Sequence, residues 1–231
     1  MTNKIKLVFF DMEGVIFESG IIENRKGLAA SVWSVIGNEL GEDAHAEEEV
    51  GKNKWMDKGF KNYIEWMEFT IAIHKKYGLT KEVFDRIINK VQYMQGAIET
   101  FEELKKKGYR TVMISGGFKN LANRAIRDLG VDHTFAACEY FFDPSSGRLV
   151  NWNMIPCDYE GKVDFMRLMM REYGLHPSEC AFVGDGVNDI PLAKEVGLSI
   201  AFNGREELQK VATHAINQDK KDLKGILKFF K

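Results

Sequence analysis

The stretch VFFDMEGV, residues 8–15, joins a run of apolar residues to two carboxylates that stand one position apart. Residues 5–10 are typical of a short, fully buried strand, and Asp11 and Glu13 follow it directly. Two acids held this close repel each other, so a nearby cation or a reaction that uses both groups has to offset the cost. The stretch therefore predicts a functional site at the carboxyl end of the first strand.

The hydrophobic pattern alternates between strand and helix after residue 96. Alternation of this kind predicts parallel crossovers, and hence an α/β fold built on a doubly wound parallel sheet that includes residues 5–10. The SGGF sequence is expected to open a helix. The predicted strands lie at about 109–114, 181–183, 198–202 and 215–216, with short strands at 133–151 and a terminal amphipathic helix at 223–230.

Residues 17–93 show helical periodicity instead, and the pattern predicts no strand there. We expect a small α-helical cap domain inserted after the first strand. The predicted domains are an α/β core at residues 1–16 plus 94–231 and a helical cap at residues 17–93.

Charge and composition exclude several classes of partner. With 32 basic and 34 acidic residues the net charge is −2, which favours neither nucleic acid nor an anionic membrane as partner. No stretch is long enough to span a bilayer, and the three cysteines show no metal-ligand spacing, so we expect free thiols and a cytoplasmic location. The pattern leaves the oligomeric state open.

Three polar clusters join Asp11 and Glu13 at one edge of the predicted sheet. They are SGGF at 115–118, Lys162 at a helix start, and GDGVND at 184–189. Because ligands bind at the carboxyl ends of parallel strands, these side chains are expected to meet. Asp11, Asp185 and Asp189 are oxygen donors that suit Mg²⁺.

The clusters together fit phosphoryl transfer. Ser115, Gly116 and Lys162 can bind a phosphate, so that the carboxylate of Asp11 can attack it despite the charge repulsion. Glu13 can then protonate the leaving alcohol and later activate water. Each cluster alone has a plainer interpretation, such as a surface turn or a solvated helix start, and only their combination favours a catalytic site.

The four motifs DMEGV, SGGF, the lysine of GK, and GDGVND resemble the haloacid dehalogenase superfamily, and within it the phosphoserine phosphatase-like branch. The resemblance implies that Asp11 is the nucleophile, and that Glu13 is the acid/base with its backbone carbonyl on Mg²⁺. It also implies that the helical cap closes over the site. The further residues that it implies are Asp185 as metal ligand, Asp189 in support of the metal, and Ser115, Lys162 and Asn188 on the phosphate.

The chain departs from this pattern in two places. Glu13 stands where the family usually has Asp, although the similar enolase-phosphatase branch also has Glu there. The family's phosphoserine enzymes also bind substrate with a Glu near the cap and a cap Arg, but residues 26–85 contain no arginine. The candidate substitutes for substrate recognition are Glu18, Glu23, Lys54 and Lys58.

The leading hypothesis is a Mg²⁺-dependent phosphomonoesterase that acts on a small soluble phosphate ester through an aspartyl-phosphate. Phosphoserine is the best single substrate. Two alternatives stay open: a phosphate-ester binding protein in which Glu13 has impaired catalysis, and a phosphotransferase that passes the phosphoryl group to an alcohol.

Overall fold

The computed structural model describes residues 5–21 and 29–231 and contains a seven-stranded sheet. The strand order is β6-β5-β4-β1-β7-β8-β9. β1 pairs in parallel with β4 and β7, and β7, β8 and β9 continue in parallel, whereas β5 and β6 form an antiparallel hairpin. The strands are β1 Leu7–Phe10, β4 Arg110–Phe118, β5 His133–Phe142, β6 Leu149–Met154, β7 Cys180–Gly184, β8 Leu198–Phe202 and β9 His214–Ile216.

Helices connect these strands, except within the β5–β6 hairpin, as the alternating pattern predicts. β1 lies in the middle of the sheet with all four of its residues buried, which explains why it is continuously apolar. The helices are α1 Val32–Glu39, α2 Glu42–Met56, α3 Tyr63–Lys76, α4 Lys81–Lys90, α5 Ala97–Lys106, α6 Lys119–Leu129, α7 Glu160–Tyr173, α8 Ile190–Ala193 and α9 Glu206–Gln209. The doubly wound α/β prediction is confirmed. No helix in the described ranges is both long and apolar enough to cross a membrane.

Two local predictions were wrong. SGGF does not open a helix: β4 continues through it to the fully buried Phe118, and α6 begins only at Lys119. Extended backbone through the two glycines carries the Phe118 ring into the core. The helical segment does contain two strands of two residues each, β2 Gly20–Ile21 and β3 Ala29–Ala30. The predicted terminal helix is present, as a 3-10 helix at Leu223–Phe229.

The chain divides into two compact units. The core unit contains residues 1–18, 93–137 and 157–231, and the helical unit contains residues 19–92 and 138–156. The sequence placed residues 138–156 in the core, because they continue a strand of the sheet. They group with the helices because α3 and α4 pack on this hairpin: the Phe84 ring lies 5.4 Å from that of Tyr140.

Candidate active site

The carboxyl ends of β1 and β7 bring three aspartates together in the core unit. Asp11 follows β1, and Asp185 and Asp189 follow β7. The backbone N–H of Asp11 donates to the Val183 carbonyl at 2.9 Å, which fixes the two strand ends side by side. One carboxylate oxygen from each aspartate lies within 4.8 Å of the other two. The sequence-based expectation that these residues meet holds.

Lys162 lies at the centre of this acidic group and is fully buried. Its Nζ donates to Asp11 Oδ1 at 2.7 Å and to Asp189 Oδ1 at 2.5 Å. It reaches this position because α7 begins at Glu160 and presents its first turn to the sheet edge. Burial alone would lower the pKa of Lys162, but the surrounding carboxylates raise it well above the ordinary value, so the ammonium stays charged.

The aspartates carry more negative charge than Lys162 neutralises. Burial raises the pKa of Asp11 to about 7, although the charge of Lys162 opposes the rise, and the charge of Asp189 adds to it. Burial also raises the pKa of Asp185 well above its usual range, with further contributions from Asp11 and Asp189. The positive charge of Lys221 opposes this rise. The site is therefore short of positive charge.

This arrangement fits a divalent cation with a preference for oxygen ligands. Asp11 and Asp185 supply carboxylates whose mutual repulsion a cation would relieve. Asp189 is less free to coordinate, because its Oδ2 already accepts from the backbone N–H groups of Asp185 and Gly186, both at 2.9 Å. Asp189 consequently shapes the loop that presents Asp185.

Gly14 allows Asp185 to approach the turn after β1. Its φ of 85° lies in the left-handed region that favours glycine. A Cβ at this position would overlap the Asp185 carboxylate. The glycine of DMEG thus serves the site in two ways: it permits the turn, and it leaves room for the acid.

Glu13 and the SGGF sequence approach each other at the same edge. Glu13 is half-buried, and a Cβ placed on Gly117 would lie 2.8 Å from its Oε1, so the Glu13 carboxylate lies against the second glycine of SGGF. Ser115 is buried, and its Oγ accepts from the Gly117 N–H at 3.0 Å. Gly116, between Ser115 and Gly117 in the chain, is also buried.

Asn188 completes the group of predicted site residues in the core unit. It is half-buried, in the loop after β7, and its Nδ2 donates to Asp158 Oδ1 at 2.8 Å. The structure therefore brings together the predicted catalytic, phosphate-binding and metal residues: Asp11, Glu13, Ser115, Gly116, Lys162, Asp185, Asn188 and Asp189.

The four candidates for substrate recognition are not brought together. Glu18 is exposed at the end of the core unit's first segment, and Glu23 lies outside the described residues. Lys54 and Lys58 are exposed at and just beyond the end of α2 in the helical unit, and Lys54 Nζ lies 4.1 Å from the centre of the Phe60 ring. Their assignment stays a prediction.

The sequence analysis missed three residues near the site. Asp158 contacts Asn188 and lies 3.7 Å from Lys162, Cys157 Sγ donates to the Ser115 carbonyl at 3.2 Å, and Lys221 acts on Asp185 through its charge. Asp158 stands four residues before Lys162, a spacing that pairs side chains at a helix start. That spacing was the available signal; nothing in the sequence marks Cys157 or Lys221.

Comparison with known proteins agrees with this geometry. The model of the haloacid dehalogenase-like hydrolase family matches residues 5–197, most of the chain. The chain belongs to this family.

Relatives and solved structures place it within the family. A phosphoserine phosphatase from Methanocaldococcus jannaschii is 28% identical over all of both chains. One from Archaeoglobus fulgidus is 30% identical over 93% of this chain, which spans only 57% of that relative's length. A solved phosphoserine phosphatase with a phospho-aspartyl intermediate analogue is 26% identical, with a TM-score of 0.78 over 99% of this chain and 100% of the other. The chain is thus a phosphoric monoester hydrolase of the phosphoserine phosphatase-like branch.

Proposed function

We propose that this protein is a Mg²⁺-dependent phosphatase that hydrolyses a small soluble phosphate ester through a phosphorylated Asp11. One observation carries the proposal: Asp11 is buried at a strand end, accepts a hydrogen bond from Lys162 and lies beside two further aspartates. A nucleophilic carboxylate needs this combination of a charged donor and a cation site in order to approach a phosphate dianion.

Different residues of the core unit would bind the metal ion and the phosphate group. Asp11 and Asp185 would hold Mg²⁺ together with the backbone carbonyl of Glu13, and Asp189 would support them. Bound Mg²⁺ would neutralise charge on the phosphate oxygens. Ser115, Gly116, Lys162 and Asn188 would bind those oxygens through hydroxyl, backbone, ammonium and amide donors.

The reaction then proceeds in two steps. A carboxylate oxygen of Asp11 forms a bond to phosphorus as the bond to the ester oxygen breaks, and Glu13 gives its proton to the leaving alcohol. Glu13 next takes a proton from water, whose oxygen attacks phosphorus and releases inorganic phosphate from Asp11. Each step returns Glu13 to the protonation state that the other requires.

The nucleophile assignment is tested with p-nitrophenyl phosphate and Mg²⁺. We expect Asp11→Asn to lower kcat by more than about a thousandfold, because the amide cannot form the covalent intermediate. Equal rates in wild type and Asp11→Asn would exclude Asp11 as the nucleophile. If the wild-type protein binds phosphate but does not hydrolyse p-nitrophenyl phosphate, the result would instead favour a binding protein whose catalysis is impaired by Glu13. Hydrolysis by the Glu13→Asp variant would support that alternative.

Phosphoserine is the substrate that we propose first, because the relatives carry that name. The α/β core would then perform the chemistry, and the helical segment at 17–93 would select the substrate through Lys54 or Lys58, with Glu18 or Glu23 on the substrate's ammonium. A screen of phosphoserine, sugar phosphates and nucleoside monophosphates tests this proposal. We expect Lys54→Ala to raise KM for phosphoserine, and Lys52→Ala, on the same helix, to leave it unchanged. A preference for another ester would exclude phosphoserine, and transfer to an added alcohol would identify a phosphotransferase.

A further inference from the structure

A fourth aspartate lies behind the proposed phosphate-binding side chains. Asp158 precedes α7, and only 11% of its side chain is exposed. Its Oδ1 accepts from Asn188 Nδ2 at 2.8 Å and lies 3.7 Å from Lys162 Nζ. One carboxylate oxygen of Asp158 therefore faces both the amide of Asn188 and the ammonium of Lys162, which the proposed hydrolysis needs. Asp158 itself is neither the proposed nucleophile nor a predicted metal ligand.

The backbone that delivers Asp158 is strained. The Gly161 N–H donates to the Asp158 carbonyl at 2.9 Å, which closes a tight turn over residues 158–161. Within that turn Tyr159 has φ 49° and ψ −123°, a conformation that favours glycine. Strained residues of this kind persist only where surrounding contacts hold them, and they cluster at functional sites. The turn places Asp158 against Asn188 at an energetic cost.

The contacts of Asp158 leave one hydrogen-bond donor available on each of Asn188 and Lys162. An asparagine amide has two N–H donors, so Asn188 keeps one after donating to Asp158. An ammonium has three donors, and Lys162 uses two of them on Asp11 and Asp189. At 3.7 Å, Asp158 attracts the ammonium but is too distant for a hydrogen bond. One donor on each side chain is thus oriented and still available for a phosphate oxygen.

We propose that Asp158 is a positioning residue that orients Asn188 and Lys162 for the phosphate group of the substrate. The inference rests on the proposed function, because it assigns both side chains to phosphate. It concerns binding geometry and not the covalent step, so phosphate affinity tests it independently of turnover.

A double-mutant cycle on the full chain with Mg²⁺ tests the proposal. The probe is inorganic phosphate, with its Kd measured by calorimetry, for wild type, Asp158→Ala, Asn188→Ala and the double variant. We expect Asp158→Ala to raise the Kd about 10- to 100-fold, as the loss of an orienting partner does at other sites. In the Asn188→Ala background the same change should raise it less than about 3-fold, because the residue that it orients is gone.

Two further variants separate positioning from general destabilisation. Asp158→Asn keeps the shape and an acceptor for Asn188, so we expect it to recover most of the affinity lost in Asp158→Ala. Asp164→Ala removes an exposed aspartate from the same helix and should leave the Kd unchanged.

An unchanged Kd in Asp158→Ala, or an equal fold-loss in both backgrounds, would overturn the inference. Wild-type protein that binds phosphate without turning over p-nitrophenyl phosphate would overturn the proposed hydrolysis alone. Wild-type protein that binds no phosphate would overturn both.

Discussion

Two buried polar networks, one in each compact unit, differ in how their charges are balanced. In the core unit, Lys162 faces Asp11 and Asp189 in direct hydrogen bonds and Asp158 at longer range, and Asp185 lies beside them. Among the described residues, Lys162 is thus the one buried cation in contact with this group of carboxylates, and Lys221 acts on Asp185 only through its charge. Burial and mutual repulsion raise the pKa values of Asp11 and Asp185 as a result.

Among the residues that the structure describes, the network of the helical unit has no such excess of carboxylates. His74 is fully buried on α3, with Nε2 2.5 Å from Glu48 Oε1 and Nδ1 2.7 Å from the Tyr140 hydroxyl. The indole of Trp33 stacks on the imidazole at 5.9 Å. Each ring nitrogen has a partner, and a single carboxylate faces a single imidazole.

We interpret the difference as that between a site that binds a cation and a network that stabilises the fold. A buried site with surplus carboxylates destabilises the protein until a cation arrives, and such a cost is retained where it serves function. A buried network in which each group has its partner rigidifies the fold. Variants in the two networks should therefore fail in different ways.

The largest effect is expected for Lys162→Met. Removal of the ammonium leaves several buried carboxylates without their cation. We therefore expect the free energy of unfolding to fall by about 3–5 kcal/mol and the phosphatase activity to be lost. Urea unfolding measures the loss, and Mg²⁺ should restore part of it. Lys210→Met, at an exposed pair with Glu206, should change stability by no more than about 0.5 kcal/mol. Equal effects of the two changes would contradict the account.

Glu48→Gln should lower the stability of the fold but leave phosphate binding unchanged. The amide removes the charge that faces His74, and we expect a loss of about 1–3 kcal/mol in the free energy of unfolding. The Kd for inorganic phosphate should stay within about 2-fold of wild type, since the chemistry lies in the other network. Glu47→Gln, at the neighbouring exposed pair with Lys76, should cost less. A large loss of phosphate affinity in Glu48→Gln would erase the distinction between the networks.

The pH dependence of the metal-free protein sharpens the contrast further. With a pKa of about 7 when folded and 3.8 ordinarily, Asp11 binds a proton more readily in the folded protein. Asp11 therefore lowers stability as pH rises from about 4 to about 7. Thermal unfolding in a chelator should show this decline. Asp11→Asn should make it shallower without removing it, because the pKa of Asp185 is raised as well. An unchanged decline in Asp11→Asn would assign it to other groups.

The smallest effect is expected at an exposed turn of the helical unit. Asp143 accepts hydrogen bonds from the backbone and hydroxyl groups of Ser145 and Ser146, which lower its pKa to about 2. Its stabilising effect is present above about pH 4 and is lost as pH falls toward 2. Asp143→Ala should lower the Tm slightly at pH 7 and not at pH 2. An equal change at both pH values would contradict this assignment.

Much of the core network could be predicted because its chemistry follows strand ends. A strand is visible as an apolar run, and the residues after it share one edge of the sheet, so Asp11 and Asp185 could be brought together without a structure. Asp158 could not, since it depends on a strained turn at Tyr159 that no sequence pattern marks.

The network of the helical unit was invisible for a different reason. Glu48, His74 and Tyr140 lie far apart in the chain, and each looks ordinary in its own segment. The grouping of residues 138–156 with the helical unit was not visible in the sequence either, because the packing of α3 and α4 on the hairpin is a tertiary contact that periodicity does not encode. Continuation of the strand to Phe118 shows the same limit, since two glycines fit either state.

The most direct test of the central claim is to look for the phosphoryl group on Asp11. Protein with Mg²⁺ and p-nitrophenyl phosphate is quenched in acid, digested and analysed by mass spectrometry. Glu13→Gln is used to slow the second step, because the p-nitrophenolate leaving group does not require the proton that Glu13 supplies in the first. The account predicts one added phosphoryl group on the peptide that contains Asp11, and none in Asp11→Asn. Turnover without any phosphorylated peptide, or with phosphate on another residue, would contradict it.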